Sequence, residues 1–299
     1  MVEATEQELA RAALQHFPLE LREVTRAAHS YNTIYRVEAA EGVFALRVGP
    51  RQQLHTAGTA YAEAAWHRDL VADGLAVPDV ILTSSGEPVV FVDDPDGQPR
   101  TCVLFAWIDG GPMQLDPSRA RVLGELMARL HAHRSAFRDA DVLRAGKVLY
   151  WLLPDRLADL PKVFSLARDS VQLLIDDLWR SGSPQLIHGD LTAANVIESA
   201  AGPVPIDFQD MVLGFPAQDI SITLSSFGRR DDREALTAAF RDGYTDSRPW
   251  PFTSDELLRG LIVARGLHRL NLNAATTTGP LPQEYLDYHA VRAQAWLDS

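Results

Sequence analysis

Apolar and polar residues follow two different periods along the chain, which divide it into a strand-rich first part and a helical remainder. In the first part we expect a five-stranded sheet, built from six short strand-like runs at 19–26, 33–38, 43–48, 78–82, 88–92 and 101–107. Helical spacing predicts two helices beside these strands, at 5–16 and 59–72, the first with Thr5 and Glu8 spaced as a capping box. The predicted class is therefore α+β.

The rest of the chain has mainly the period of helices. Asp116 and Pro117 occupy the N-cap and first position of a predicted helix that carries an apolar stripe. Further helical spacing predicts helices at 154–179, 232–244, 253–275 and 283–297. Thr253 and Glu256 are spaced as a second capping box. Between the helices predicted at 154–179 and 232–244 lies a stretch with a different pattern.

That stretch, 185–210, places polar residues between short apolar runs. An apolar pair leads into His188-Gly189-Asp190, Asn195 comes five residues after Asp190, and Asp207 follows a second short strand at 204–206. A carboxylate can orient a hydroxyl and accept its proton, whereas an amide oxygen and a second carboxylate are hard ligands for Mg²⁺ on phosphates. The pattern predicts a magnesium-nucleotide site. The alternative is a strand-turn-strand in which these residues only form turns.

This stretch contains the motifs His188-x-Asp190-x4-Asn195 and Ile206-Asp207-Phe208. They resemble the catalytic and metal-binding loops of the aminoglycoside phosphotransferase and choline kinase family, whose members are relatives of the protein kinases. The resemblance implies a protein-kinase-like fold with two lobes, an antiparallel sheet with a helix in the first and mainly helices in the second. It also implies that Asp190 is the catalytic base, that Asn195 and Asp207 bind Mg²⁺, and that His188 supports the loop. ATP or GTP would be the co-substrate, and the hydroxyl of a small molecule the acceptor.

The third strand extends the resemblance to nucleotide binding. Its period of two places Ala45 and Arg47 on one face, which resembles the kinase strand whose small residue packs on adenine and whose lysine holds the phosphates. Here an arginine replaces that lysine, and its planar fork has a different geometry. Glu63, in the predicted helix, matches the glutamate that pairs with this base. The alternatives are an exposed strand arginine and a solvent-facing glutamate.

Two further regions carry weaker parts of the same resemblance. Asn32 lies in a segment similar to the loop that covers the phosphates, although the segment lacks a glycine-rich signature and Asn32 could be only a turn residue. Phe105 and Trp107 lie in a run similar to the linker between the lobes, where Trp107 stacks on the base or belongs to the core. The implied lobes are residues 1–108 and 109–299.

Polar residues after Asp207 suggest loop support and an acceptor site. Asp219 matches the family residue that anchors the following helix at the catalytic loop, and Asp210 is a spare carboxylate for the acceptor or for a turn. Arg265 and His268, together with other polar residues of the predicted helix at 253–275, are candidates for the acceptor side; the alternative for each is a solvated helix face. Those other residues are Arg269, Asn271 and Asn273. His131 is expected to be structural.

Composition narrows the classes of partner. The chain has 28 basic and 40 acidic residues and a formal charge of −12, which argues against nucleic acid or an anionic membrane surface and favours a cationic or neutral substrate. Its 46% hydrophobic content can support two lobes. The single cysteine, Cys102, excludes an internal disulfide. No signal peptide or membrane-spanning run is evident in the sequence, so we expect a cytoplasmic protein.

Three functions are compatible with these residues. The first is a Mg²⁺-dependent small-molecule kinase that acts on an amino alcohol, an aminoglycoside, a sugar or an amino acid. The second is a Ser/Thr protein kinase of the same family. The lack of an evident activation segment between Asp207 and Asp219 argues against it. The third is a non-catalytic nucleotide-binding module, suggested by Arg47 and by the missing glycine-rich loop.

Overall fold

The computed structural model describes residues 2–133, 142–228 and 230–299, with the side chains described from residue 6 onward. The described chain forms two compact units, and each has its own core. One unit contains the residues up to 111 together with 197–209, and the other contains 112–133, 142–196 and 210–299. The predicted α+β class is confirmed.

The strands of the described chain are β1 (Leu21–His29), β2 (Thr33–Ala39), β3 (Gly42–Val48), β4 (Val80–Ile81), β5 (Val90–Asp93), β6 (Pro99–Ala106), β7 (Gly111–Pro112), β8 (Gln185–Ile187), β9 (Val196–Ser199), β10 (Gly202–Pro205) and β11 (Val212–Gly214). Its helices are α1 (Val2–Leu14), α2 (Thr59–Ala72), α3 (Pro117–Ala132), α4 (Lys162–Ser181), α5 (Pro216–Ser226), α6 (Arg233–Thr245), α7 (Asp255–Thr276) and α8 (Gln283–Leu297). No described helix combines the length and the apolarity that crossing a bilayer requires.

The first unit is built on an antiparallel sheet with the order β1-β2-β3-β6-β4, and β5 also pairs with β6. Among the described residues this sheet has six strands, so the expectation of five was wrong. All six strand-like runs enter the sheet, because the two-residue strand β4 and the strand β5 both hydrogen-bond to the long strand β6. One face of the sheet is covered by α1, whose Ala10, Ala13 and Leu14 share a buried core with Leu46 and Leu104.

The second unit is helical around a core that joins α4, α5, α7 and α8. The other two helices of this unit, α3 and α6, approach each other closely. A Cβ on Gly124 would lie 2.1 Å from the Phe240 carbonyl oxygen, and one on Gly243 would lie 2.0 Å from that of Arg121. Glycine at both positions therefore permits this backbone contact.

Proline and N-cap residues determine where several helices begin, and the apolar period alone does not show these positions. The helix predicted at 154–179 begins at Lys162, because Pro161 has no N–H and blocks the preceding turn. The two predicted capping boxes were wrong. Thr5 lies inside α1, and Ser254 is the N-cap of α7, where its hydroxyl accepts a hydrogen bond from the Leu257 N–H at 3.1 Å. The predicted cap at Asp116 is confirmed.

Candidate active site

Arg47 and Glu63 form a buried ion pair in the first unit. On β3, Phe44, Leu46 and Val48 point into the core, so Arg47 points to the opposite face of the sheet, as the period of two predicted. Its Nη1 donates to Glu63 Oε1 at 2.8 Å, and Nη2 donates to Oε2. The predicted pair is confirmed, and the alternatives of an exposed arginine and a solvent-facing glutamate are wrong.

The pair remains charged although both side chains are buried. Burial by itself raises the pKa of Glu63, but the charge and hydrogen bonds of Arg47, with smaller contributions from His67 and His55, hold that pKa below its ordinary value. The Arg47 guanidinium also lies over the Phe105 ring at 5.3 Å. These contacts fix the orientation of Arg47.

Asp207 lies beside the same arginine. Arg47 Nη1 is 3.6 Å from Asp207 Oδ1, and the Asp207 side chain is 36% exposed. Asp207 is the only non-glycine residue of the described chain with a positive φ, 63°. The next residue, Phe208, is buried with its ring edge-to-face against Trp66 at 5.3 Å and His67 at 4.6 Å. This aromatic packing holds Asp207 in an unfavourable backbone conformation, which is a common property of functional residues.

Asp190 and Asn195 are joined by hydrogen bonds in the second unit. A short 3-10 turn ends at Asn195, whose Nδ2 donates to the carbonyl oxygen of Asp190 at 2.9 Å and to its Oδ2 at 3.0 Å. Because the amide nitrogen is used within the loop, the amide oxygen of Asn195 is the atom that can act as a metal ligand.

Gly189 explains why this loop contains His-Gly-Asp where protein kinases have His-Arg-Asp. Its φ is 78°, and a Cβ would lie 2.1 Å from the Asp210 carbonyl oxygen. Both the backbone conformation and the close contact exclude a larger residue.

Asp219 supports the loop from the first turn of α5. Its buried carboxylate accepts hydrogen bonds from the His188 N–H at 2.9 Å, the Gly189 N–H at 3.0 Å and His131 Nε2 at 3.1 Å. Burial raises the pKa of Asp219, but the hydrogen bond and charge of His131, followed by His188, bring the net pKa below its ordinary value. His188 Nδ1 accepts from the Asp190 N–H at 3.3 Å. The loop is thus anchored at its backbone.

The carboxylate of Asp190 has both an opposite and a like charge beside it. Arg265 Nη2 donates to Asp190 Oδ1 at 2.6 Å. Burial raises the pKa of Asp190, and the negative charge of Asp210 raises it further. The positive charge of Arg265 lowers the pKa only in part, so the net shift is upward. Tyr150 and Trp151 also belong to this environment, since the Arg265 guanidinium lies 5.7 Å from the Trp151 ring and its charge acts on the buried Tyr150 hydroxyl. Sequence reasoning missed both aromatic residues, because they precede α4 in a segment without a period.

The polar residues of α7 have different surroundings. Arg265, His268 and Asn271 are buried, so the solvated helix face is wrong for these three, whereas Arg269 is exposed. His268 stacks on Tyr150 at 4.1 Å, and its Nδ1 lies 2.9 Å from the Val148 carbonyl oxygen. Asn271 binds the backbone before α4 through the Arg156 N–H and the Pro154 carbonyl oxygen. Asn273 Nδ2 donates to the Tyr285 hydroxyl at 2.8 Å.

The remaining nucleotide candidates lie on the sheet of the first unit. Asn32 is buried in the turn between β1 and β2, where its carbonyl oxygen accepts from the Ser30 N–H. Ala45 pairs with Phe105 across β3 and β6. Trp107 follows β6, is half-buried and has the Arg36 guanidinium 5.5 Å from its ring, so it is not a core residue.

Comparison with known families gives one match that covers most of the chain. Residues 23–254 match the model of the phosphotransferase enzyme family. No curated protein matches the sequence significantly.

Solved structures share the fold over nearly the full length. An amicoumacin kinase in complex with AMP-PNP and Ca²⁺ is 18% identical, with a TM-score of 0.78 over 99% of this chain and 95% of that one. A microcompartment-associated aminopropanol kinase is 24% identical, with a TM-score of 0.75 over 97% and 95%. A spectinomycin phosphotransferase in complex with ADP and spectinomycin is 12% identical, with a TM-score of 0.60 over 98% of each chain. The predicted kinase-like fold is confirmed.

Proposed function

Since the chain belongs to the phosphotransferase enzyme family, we propose that it transfers the γ-phosphoryl group of ATP or GTP to a hydroxyl of a small molecule. The observation that carries this proposal is the loop in which Asp190, hydrogen-bonded to Asn195, is held at its backbone by Asp219 and His188. The names of the structural relatives, kinases of small molecules, support the same acceptor class.

Asp190 is the proposed base. A carboxylate with a raised pKa is a better proton acceptor than an ordinary aspartate, provided that it remains ionised. In phosphoryl transfer most of the rate enhancement comes from positioning and from charge neutralisation, so the main task of Asp190 is to orient the hydroxyl.

Arg47 is the proposed phosphate ligand. Glu63 holds the guanidinium in a fixed orientation through both of its carboxylate oxygens. An arginine fork can bind phosphate oxygens in bidentate fashion. Ala45, Asn32 and the segment from Phe105 to Trp107 complete the proposed nucleotide contacts.

The proposed ligands suit Mg²⁺. Asn195 and Asp207 offer an amide oxygen and a carboxylate, which are hard donors, and Mg²⁺ in kinases takes most of its other ligands from phosphates and water. The described chain has no cluster of three or more His, Cys, Asp and Glu side chains that could hold a metal without such help. When bound, Mg²⁺ neutralises charge on the phosphates.

The Arg47–Asp207 contact also favours a second candidate, a module that binds nucleotide without turnover. In this arrangement the arginine occupies the neighbourhood of the carboxylate that would bind the metal. If Arg47 cannot release Asp207, Mg²⁺ would not bind there.

Thermal unfolding with ATP or GTP, with and without Mg²⁺, tests the nucleotide site before any acceptor is known. A ligand that binds only the folded state at 100 times its Kd adds about 2.7 kcal/mol of stability. We expect a Mg²⁺-dependent rise in melting temperature for the wild type and its loss in Asp207→Asn. Asp93→Asn, at an exposed carboxylate of the same unit, is the matched control. The absence of any nucleotide effect in the wild type would contradict the proposal. A Mg²⁺-independent rise without turnover would favour the second candidate.

A further inference from the structure

A cavity of about 230 Å³ lies in the helical unit, between α7, α8 and the end of α5. Its lining is basic: it includes Arg265, Arg269, Arg292 and His289. Among the described residues that line it, none is acidic. We call this space the basic cavity.

The charge of the basic cavity is opposite to that of the chain. The protein has 40 acidic and 28 basic residues, yet three arginines converge on this one space. Clustered charges of one sign in a concave, low-dielectric surface produce a strong local potential that selects ligands of the opposite sign. The local charge therefore decides the ligand, and the net charge of −12 does not.

Arg265 connects the basic cavity with the proposed base. Its guanidinium lines the cavity and donates to Asp190 Oδ1 at 2.6 Å. Among the described residues, Asp190 forms an ion pair with Arg265, whereas the charge of Arg269 acts on it more weakly and without an ion-pair contact. Arg269 is exposed and has no carboxylate within ion-pair distance among the described residues, and Arg292 contacts the hydroxyl and ring of Tyr288. Two arginines remain for an anionic ligand.

The neutral groups of the basic cavity also favour a ligand whose atoms accept hydrogen bonds. Tyr285 Oη accepts from Asn273 Nδ2 at 2.8 Å, which leaves the phenolic hydrogen free to donate. Burial raises the pKa of Tyr285, so this hydroxyl stays protonated at neutral pH. Guanidinium and phenol groups together present donors to whatever occupies the cavity.

From these contacts we infer that the hydroxyl acceptor carries an anionic oxygen group, a carboxylate or a phosphate, which binds in the basic cavity while the hydroxyl lies at Asp190. This inference rests on the proposed phosphotransferase activity and names its substrate class. It reverses the expectation of a cationic or neutral substrate drawn from composition. Aminoglycosides and choline would place positive charge against Arg269 and Arg292.

Matched pairs of alcohols test the inference. We would compare 3-hydroxybutyrate with 3-hydroxybutyramide, and glycerol 3-phosphate with glycerol, and include choline as a cationic probe. ADP release in the presence of Mg²⁺-ATP measures turnover, and thermal unfolding with Mg²⁺-AMP-PNP measures binding without turnover. A charge-assisted hydrogen bond contributes about 1.5–3 kcal/mol, so each anion should exceed its neutral partner at least about tenfold in kcat/KM or affinity. The two anionic probes distinguish carboxylate from phosphate.

Variants of the basic cavity locate the effect. Arg269→Gln and Arg292→Gln should raise KM for the anionic probe, with little change in kcat and none in KM for its neutral partner. Arg259→Gln, at an exposed arginine of α7 outside the cavity lining, is the control and should leave both values unchanged.

The outcomes separate the inference from the proposed function. Equal use of acid and amide, a preference for choline, or an anion preference that survives both cavity variants overturns the inference. Nucleotide binding without preferential binding of either anion also overturns it. Failure of both Mg²⁺-ATP and Mg²⁺-GTP to stabilise the protein, by contrast, defeats the proposed function. In that case, stabilisation by an anion that Arg269→Gln abolishes would still support an anion site in the cavity.

Discussion

At the scale of single residues, Asp190 occupies an environment that both favours and opposes its ionisation. Burial and the neighbouring charge of Asp210 raise its pKa, whereas Arg265 stabilises the carboxylate through a 2.6 Å hydrogen bond. Such a balance gives a carboxylate that is more basic than an ordinary aspartate but can remain ionised. The carboxylate oxygens, with Arg265 on one and Asn195 on the other, have fixed positions.

Replacement of Asp190 by asparagine tests its role as the base. Asp190→Asn keeps the size of the side chain but removes the proton acceptor, so we expect kcat to fall by about 10²–10⁴-fold. Nucleotide affinity should not change, because the proposed phosphate contact is Arg47. Steady-state kinetics with an acceptor identified in the comparison of alcohols, together with the Mg²⁺-ATP thermal shift, measures both quantities.

The matched control for this variant is Asp231→Asn, since Asp231 is an exposed carboxylate of the same unit. It should retain the kcat of the wild type. Full turnover in Asp190→Asn would show that another group accepts the proton or that none is needed.

At the scale of elements, the loop around Asp190 takes its position from the start of α5. Asp219 accepts two backbone N–H groups of the loop and the His131 side chain of α3, and all of these groups are buried. Thr223, one turn further along α5, donates to the Leu191 carbonyl oxygen. Helix α5 therefore holds the loop on both sides of Asp190.

Asp219→Asn should weaken both the loop and the fold. An amide has one acceptor oxygen and no charge, so buried N–H donors lose a charge-assisted partner, and we expect a loss of about 2–3 kcal/mol in the free energy of unfolding. A displacement of Asp190 of about 1 Å can lower the rate about 10²-fold. Urea unfolding and kcat measure the two effects.

The same Asp231→Asn variant serves as the control and should unfold like the wild type. A drop in kcat without loss of stability would mean that Asp219 acts on the reaction more directly than through the loop. Unchanged values of both would contradict the anchoring role.

Elements were predictable where local signals agreed. Helix α2 begins and ends at Thr59 and Ala72 as predicted, because apolar spacing and Gly74 point to the same boundaries. The strand β4 pairs over only two residues, and so short a run has no period of its own. Whether such a segment joins the sheet depends on β6, a tertiary partner that the sequence does not identify.

The candidate site was predictable to a similar extent. The Arg47–Glu63 pair could be expected because the strand period and the family pattern both assign the two residues to the same environment. The Arg265–Asp190 pair joins residues 75 positions apart, and no local pattern relates them. Helix α7 carries several polar residues, and only its packing shows which of them are buried.

At the scale of the whole molecule, each unit contains a buried carboxylate that stays ionised because of its partners. Glu63 in the first unit and Asp219 in the second both have pKa values below their ordinary values of 4.5 and 3.8. A group whose pKa is lowered by folding contributes stability above its unfolded pKa, and that stability is lost as the pH falls through the folded pKa. Asp190, with its raised pKa, contributes in the opposite sense.

The protein should therefore lose stability on acidification below about pH 4.5, where unfolded Glu and then Asp begin to bind protons that the folded pairs exclude. Urea unfolding at a series of pH values measures how the free energy of unfolding falls in this acidic range, which we call the acid limb. Each excluded proton adds up to about 1.4 kcal/mol per pH unit to the slope, so Glu63→Gln and Asp219→Asn should each flatten the limb while lowering stability at neutral pH. The exposed variants Asp93→Asn and Asp231→Asn should keep the wild-type slope. An acid limb of unchanged slope in both buried variants would show that other carboxylates determine the acid stability.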